Sequence, residues 1–168
     1  LLSEYVSIPS VSGEEYKAGL FLSSLCKERG LYVEVFTDDK ASYNFAASLY
    51  PLDQGKPNVI FLNHIDVVSV GCEHEWTYDP FSGIICDGKI WGRGAIDNKG
   101  MAIMQLEAIS DFIELSKRED LPFNVTLLSV SSEELGGHLG AEIVVDNFLE
   151  RLNPIVVFGE GGTGLSGV

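Results

Sequence analysis

The segment Val59–Asp66, with the sequence VIFLNHID, constrains the fold of this chain more than any other. It begins as a run of β-branched and large apolar residues, the composition of a strand buried on both faces of a parallel sheet. The run stops at His64 and Asp66, two polar side chains placed where the strand would meet its loop. Because ligands of open α/β sheets bind outside the carboxyl ends of the strands, the segment predicts a functional site at that edge.

Two further apolar runs, VTLLSVS at 125–131 and IVVF at 155–158, are each followed closely by glutamate. A Gly-rich segment, WGRGAID at 91–97, ends in an aspartate just before a predicted helix. If these runs are parallel strands of one sheet, their carboxyl ends lie at the same edge. The side chains expected to converge there are His64, Asp97, Glu133, Glu134 and Glu160.

Strand patterns alternate with helix patterns along the chain, which predicts an α/β fold with a mixed sheet, parallel in its centre and flanked by helices. The Asp-Gly pair within residues 84–91 predicts a small hairpin. The remaining predicted elements are an antiparallel strand pair at 31–37 and 43–50, an amphipathic helix at 99–117 and a shorter helix at 140–149.

The segment Ser12–Glu15, with the sequence SGEE, matches a capping box. In that motif the serine hydroxyl and the glutamate carboxylate each accept a bond from an N–H group at the start of a helix. Apolar residues with helical spacing follow, and Gly30 predicts the end of this helix.

Composition, net charge and the first residues disfavour several classes of protein. With 168 residues, 45% of them hydrophobic, the chain can bury a core as one domain. We expect no membrane span and no signal peptide, since no apolar run is long enough and the first residues lack a basic region. The net charge of −14 disfavours nucleic acid as a partner. Three cysteines without CxxC spacing favour reduced thiols and hence a cytoplasmic location.

The converging side chains suit a metal centre. Zinc accepts imidazole nitrogen and carboxylate oxygen, and a hydrolytic site keeps one position open for water. Asp66, two residues past His64, can orient the imidazole, and Glu133 is a candidate general base. Cobalt and manganese accept the same ligands. We expect the other histidines, His74 and His138, to be surface residues.

Three motifs occur in an order that resembles the dizinc metallopeptidases, the family of glutamate carboxypeptidase, carboxypeptidase S, aminoacylase and succinyl-diaminopimelate desuccinylase. They are NHIDVV at 63–68, WGRGAIDNKG at 91–100 and SEELGG at 132–137. The segment IPSVSGE at 8–14 is similar to the family's first helix and loop.

The resemblance implies a zinc-exopeptidase-like three-layer sandwich with two Zn²⁺ ions in the complete active site. His64 and Glu160 would bind one ion, Glu134 the other, and Asp97 would bridge them. A metal-activated hydroxide would attack an amide carbonyl while Glu133 acts as general base. The implied substrates are peptides with a free carboxyl terminus or N-acyl amino acids.

Two parts of the family pattern are missing from the sequence. The second zinc of the family takes a further histidine late in the catalytic domain, and no histidine follows Glu160 here. The family also carries a lid and dimerisation domain. We therefore expect residues 1–168 to be the N-terminal portion of a catalytic domain that is incomplete at its C-terminus. A full-length protein would then be able to form a homodimer through the lid domain.

Two other functions remain as alternatives. The chain can be a non-catalytic metal-binding or assembly module that retained the fold and lost turnover, although every ligand that this segment can supply is present. A phosphate-binding α/β protein is disfavoured because no Gly-rich segment has P-loop spacing.

We predict that residues 1–168, purified by themselves, hydrolyse peptides and N-acyl amino acids much more slowly than the full-length protein. The reason is that the second metal lacks a ligand and the substrate lacks the lid. Turnover measured on both proteins with the same substrates checks this, and equal rates would contradict it.

Overall fold

The computed structural model describes residues 1–161; part of the Gly-rich segment that follows Glu160, residues 162–168, lies outside the described residues. The helices are α1 (Leu2–Val6), α2 (Tyr16–Glu28), α3 (Lys99–Ser110), α4 (Ile113–Arg118) and α5 (Ala141–Leu152). The strands are β1 (Tyr32–Asp38), β2 (Tyr43–Ser48), β3 (Asn58–His64), β4 (Ile85–Cys86), β5 (Lys89–Ile90), β6 (Asn124–Val130) and β7 (Pro154–Phe158). Within residues 1–161, no helix is both long and apolar enough to cross a membrane.

Five strands form one mixed sheet in the order β1-β2-β6-β3-β7. The pairs β6–β3 and β3–β7 are parallel, whereas β1–β2 and β2–β6 are antiparallel. The predicted mixed sheet with a parallel centre is therefore confirmed. Strands β4 and β5 form the predicted hairpin as a separate two-stranded sheet.

Alternating side chains of the sheet build a core on each face. On β2, Phe45 and Ala47 pack with buried residues of α2 and α3, whereas Ala46 points to the other face. That second core contains Val144 and Leu152 of α5. Helices thus cover both faces of the sheet around β2 and β6, which is the three-layer arrangement that the family resemblance implies, whereas the edge strand β7 is largely exposed.

Two local predictions were wrong. The apolar stripe at 99–117 does not form one helix, because α3 ends at Ser110 and α4 begins at Ile113. The capping box is also absent: α2 begins after Glu15, and no side chain caps it. The Ser12 hydroxyl and the Glu15 carboxylate bond to other parts of the molecule instead. The helical stop at Gly30 is confirmed by its φ of 96°.

The chain before α2 lies against the loop that follows β3. Val11 forms a parallel bridge with Val67, and the Val67 N–H donates to the Ser10 carbonyl at 2.9 Å. Farther back, the fully buried Lys99 at the start of α3 donates from Nζ to the carbonyl oxygens of Tyr5 (3.2 Å) and Ile8 (2.6 Å). The N-terminal segment is thereby fixed to two segments that directly follow candidate site residues, at Val67 after Asp66 and at Lys99 after Asp97.

Leu106 and Met104 on α3 offer a direct test of the core. Leu106 is 0% exposed within the first core, and Met104 is 67% exposed. We predict that Leu106→Ala lowers the free energy of unfolding by about 2–5 kcal/mol through lost burial and a residual cavity. Met104→Ala should change it by less than about 0.5 kcal/mol, since it removes no packed side chain. Chemical denaturation of both variants measures the difference; equal losses would contradict this packing.

Candidate metal centre

The parallel strands place the predicted side chains at one edge of the sheet. β3 ends at His64, which is paired with Val130 at the end of β6, and β7 ends two residues before Glu160. Ligand atoms of His64, Asp97 and Glu160 all lie within 4.8 Å of one another. Those of His64, Glu133 and Glu134 form a second such group. Every site residue predicted at this edge is therefore part of one cluster.

The ring of His64 is oriented for metal binding. It is buried, and its Nδ1 lies 2.9 Å from the Asp66 carbonyl oxygen, which can only accept a hydrogen bond. Nδ1 therefore carries a proton. Nε2 faces the carboxylates, at 2.9 Å from Asp97 Oδ1 and 3.1 Å from Glu160 Oε1. When neutral, the imidazole has its lone pair on Nε2, directed into the cluster.

The carboxylate of Asp66 connects the end of β3 with the loop after β6. It is fully buried, and Oδ1 lies 3.4 Å from His64 Nδ1. Oδ1 also accepts a bond from the Glu133 N–H at 3.0 Å, and Oδ2 accepts one from the Glu134 N–H at 3.2 Å. The Ser12 hydroxyl donates to Oδ2 at 2.7 Å. Asp66 thus fixes both the imidazole and the backbone of the two glutamates.

A tight turn presents those glutamates. Ser132 has a φ of 60°, a left-handed conformation that costs a non-glycine residue about 1–2 kcal/mol. Its N–H donates to Glu15 Oε1 at 3.2 Å, and residues Glu133–Leu135 form a short 3₁₀ helix directly afterwards. Behind the turn, a Cβ on Gly140 would lie 1.8 Å from the Ser131 carbonyl oxygen, so only glycine fits there.

Asp97 and Glu160 complete the edge from two different segments. Asp97 immediately precedes the buried Asn98, whose side-chain N–H donates to Glu160 Oε2. The other oxygen of Glu160 faces His64 Nε2. Asn98 therefore links the segment before α3 to the residue after β7.

His64, Asp66 and Glu134 have pKa values shifted by burial and by their neighbours. Burial by itself would lower the pKa of His64, but its hydrogen bond with Asp66 and the charges of Glu160 and Asp66 raise it to about 9. Burial would raise the pKa of Asp66, yet its bonds to His64, Ser12 and the Glu133 N–H hold it below its usual value. Burial and the charge of Asp97 raise the pKa of Glu134.

These residues fit divalent cations. One imidazole nitrogen and the oxygens of several carboxylates are the ligands that zinc takes in hydrolytic sites. Four carboxylates that surround one imidazole also repel one another, and bound cations would relieve that repulsion. Asp66 and Asn98 supply the outer hydrogen bonds that fix the ligand orientation.

Sequence reasoning missed the supporting residues Ser12, Glu15 and Asn98. The SGEE spacing of Ser12 and Glu15 predicts a helix cap, and it carries no sign of contacts with Asp66, 54 residues from Ser12, or with Ser132, 117 residues from Glu15. Asn98 directly follows a predicted ligand, and that adjacency was the available signal. His74 and His138 are exposed, as predicted.

A family model matches the part of the chain that carries the cluster. The model described as Peptidase family M20/M25/M40 matches residues 60–167, more than half of the chain. The chain belongs to this peptidase family. The match includes the edge of the sheet on which the cluster lies.

Relatives support the assignment over stretches of different length. The β-Ala-His dipeptidase of Rattus norvegicus is 39% identical over 108 residues, covering 62% of this chain and 22% of that protein. The succinyl-diaminopimelate desuccinylase of Ehrlichia chaffeensis is 32% identical over 140 residues, covering 82% and 35%. Among solved structures, an M20 metallo-carboxypeptidase from Sulfolobus solfataricus matches with a TM-score of 0.80 and 27% identity, covering 96% of this chain and 36% of that one. The chain thus spans about a quarter to a third of these proteins' lengths.

Metal binding should release a proton from His64. The pKa of about 9 makes the imidazole a cation in metal-free protein near neutral pH, and a metal binds only the neutral ring. We predict release of about one proton from this residue on titration with Zn²⁺. Calorimetry in buffers with different ionisation enthalpies measures the release.

Two histidine variants make this prediction specific. His64→Ala should abolish both the proton release and most of the Zn²⁺ binding. His74→Ala removes an exposed imidazole outside the cluster and should leave both unchanged. Unaltered Zn²⁺ binding by His64→Ala would show that His64 is not a metal ligand.

Proposed function

We propose that this protein is a metal-dependent hydrolase of amide bonds, acting as a metallo-carboxypeptidase or as an N-acyl-amino-acid deacylase. The observation that carries the proposal is the cluster at the end of β3, β6 and β7. The cluster combines the buried imidazole of His64, whose Nε2 faces acidic side chains, with the partly exposed carboxylate of Glu133. Membership of the M20/M25/M40 peptidases supports the same chemistry.

We assign two Zn²⁺ ions to the complete site. His64 and Glu160 would hold one ion, Glu134 the other, and Asp97 would bridge the two. The grouping of His64, Asp97 and Glu160 supports the first assignment. For the second, Glu134 groups with His64 and Glu133, and the charge of Asp97 acts on its pKa. When bound, the cations would polarise the substrate carbonyl and lower the pKa of a water molecule.

Glu133 is the proposed general base. Its carboxylate is half exposed and lies 3.9 Å from His64 Nε2, so it can reach both the cluster and solvent. It takes a proton from the attacking water, whose oxygen bonds to the carbonyl carbon. The same proton then passes to the amide nitrogen as the carbon–nitrogen bond breaks, which lets the amine leave. The Asp66 carboxylate holds the Glu133 N–H while this occurs.

The substrate class follows from the neighbourhood of Glu133 and from the relatives. A cavity of about 150 Å³ beside His64, Glu133 and Glu160 is otherwise lined mainly by apolar groups, among them Leu62 and Val130. That volume suits one side chain or a short acyl group. Two relatives carry the names β-Ala-His dipeptidase and succinyl-diaminopimelate desuccinylase. We propose peptides or N-acyl amino acids as substrates.

The described residues supply one part of such an enzyme. The matched portion makes up between 22% and 39% of the relatives' lengths, so most of each relative lies outside the match. We propose that residues 1–168 are the N-terminal portion of the catalytic domain. The last metal ligand and a lid and dimerisation domain would come from other parts of the full-length protein.

Glu133→Gln in the full-length protein tests the proposal. Glutamine keeps the size of the side chain but cannot accept the proton. We predict that kcat falls about 10²–10⁴-fold while Zn²⁺ content stays at the wild-type level. Rates on dipeptides and N-acyl amino acids, together with metal analysis of the same samples, measure both effects.

The matched control is Glu75→Gln, the same change at an exposed position in the loop before β4. It should retain wild-type kcat and wild-type metal content. A Glu133→Gln variant that hydrolyses amides as fast as Glu75→Gln would exclude Glu133 as the base. A Zn²⁺-loaded wild-type protein that cleaves no amide substrate would refute the proposed function itself.

A further inference from the structure

Three consecutive backbone N–H groups on the turn Ser132–Glu134 donate to two buried carboxylates. The Ser132 N–H bonds to Glu15 Oε1 at 3.2 Å. The next two N–H groups bond to Oδ1 and Oδ2 of Asp66 at 3.0 and 3.2 Å. Carboxylates that accept backbone N–H groups form charge-assisted bonds, which are stronger than neutral ones. The orientation of the turn is therefore set by the positions of Glu15 and Asp66.

Both carboxylates depend on one short segment, Ser12–Glu15. The Ser12 hydroxyl donates to Asp66 Oδ2 at 2.7 Å, so one end of the segment fixes Asp66. At the other end, Glu15 is fully buried, and its second oxygen accepts a bond from the Gly13 N–H at 2.9 Å. The segment is itself held against the loop that follows β3, because the Ser12 N–H donates to the Val67 carbonyl at 3.2 Å.

Capping of α2 does not explain the burial of Glu15. No side chain caps the first turn of that helix, and the partners of the Glu15 carboxylate are Gly13 and Ser132. Burying a carboxylate is unfavourable unless hydrogen bonds compensate for lost water. The compensating bond outside its own segment goes to the residue immediately before Glu133, in the left-handed conformation that starts the turn.

Building on the proposed function, we propose that Ser12 and Glu15 are positioning residues for the turn that carries the general base and a metal ligand. Glu15 fixes the Ser132 N–H, and Ser12 fixes Asp66, which in turn accepts the N–H groups of the next two residues. Together they fix the backbone of residues 132–134. Loosening either contact displaces the Glu133 carboxylate from the position for proton transfer. The same displacement moves Glu134 away from the cation that it would bind.

Glu15→Gln in the full-length protein is the first test. Glutamine has the size of glutamate but only one accepting oxygen, so one of the two N–H groups loses its partner. We expect kcat to fall about 10–100-fold and Zn²⁺ affinity to weaken about tenfold or more, as for other residues that orient metal ligands. KM should change by less than about threefold, because Glu15 is fully buried and does not line the cavity beside Glu133.

Two controls separate positioning from general destabilisation. Glu14→Gln makes the same change at the neighbouring exposed residue and should leave kcat and Zn²⁺ affinity unchanged. Leu106→Ala destabilises the core without touching the turn. At a temperature at which all variants are folded, it should keep the wild-type kcat and Zn²⁺ affinity. A loss of kcat and Zn²⁺ affinity in Leu106→Ala equal to that in Glu15→Gln would overturn the proposal.

Ser12→Ala is the second test and removes one hydroxyl. It should lower kcat and Zn²⁺ affinity in the same direction, and it decides the question if Glu15→Gln does not fold. Wild-type kcat and wild-type Zn²⁺ affinity in the folded variants would overturn the proposal.

If the wild type binds Zn²⁺ but cleaves no amide, the proposed function fails, and the Zn²⁺ affinities of the variants still test positioning. A wild-type protein that binds no Zn²⁺ overturns both.

Discussion

The candidate site depends on the hydrogen bonds that the buried carboxylate of Asp66 accepts. It accepts bonds from Ser12 and from the N–H groups of Glu133 and Glu134, and it lies beside His64 Nδ1. Three segments far apart in the sequence therefore meet at one side chain. Because its bonds hold its pKa low, Asp66 stays ionised and keeps accepting all of them.

The sheet could be predicted because its information is local. Apolar runs of strand length, separated by helical patterns, indicate a mixed α/β sheet, and the parallel centre follows from strands that are buried on both faces. The break between α3 and α4 could not be predicted, since the apolar stripe continues across it. The periodicity of apolar residues therefore carries no information about where α3 ends.

The members of the cluster could also be predicted, because His64, Asp97, Glu134 and Glu160 each follow a recognisable run or motif at the edge where such sheets bind ligands. The residues that hold the cluster could not. Ser12 and Glu15 have the spacing of a helix cap, and their partners Asp66 and Ser132 are distant in the sequence. Hydrogen bonds between residues far apart in the sequence leave no periodic pattern. The local spacing therefore predicts the commoner motif, a helix cap.

Lys99 extends the same dependence to the start of the chain. Its side chain is fully buried and Nζ donates to the carbonyl oxygens of Tyr5 and Ile8, and Lys99 lies two residues after Asp97. Residues 1–12 thus support the edge of the sheet that carries the candidate metal centre, although they lie outside the sheet. A shortened protein that lacks residues 1–12, made for example to aid crystallisation, would therefore lose contacts that support the candidate metal centre.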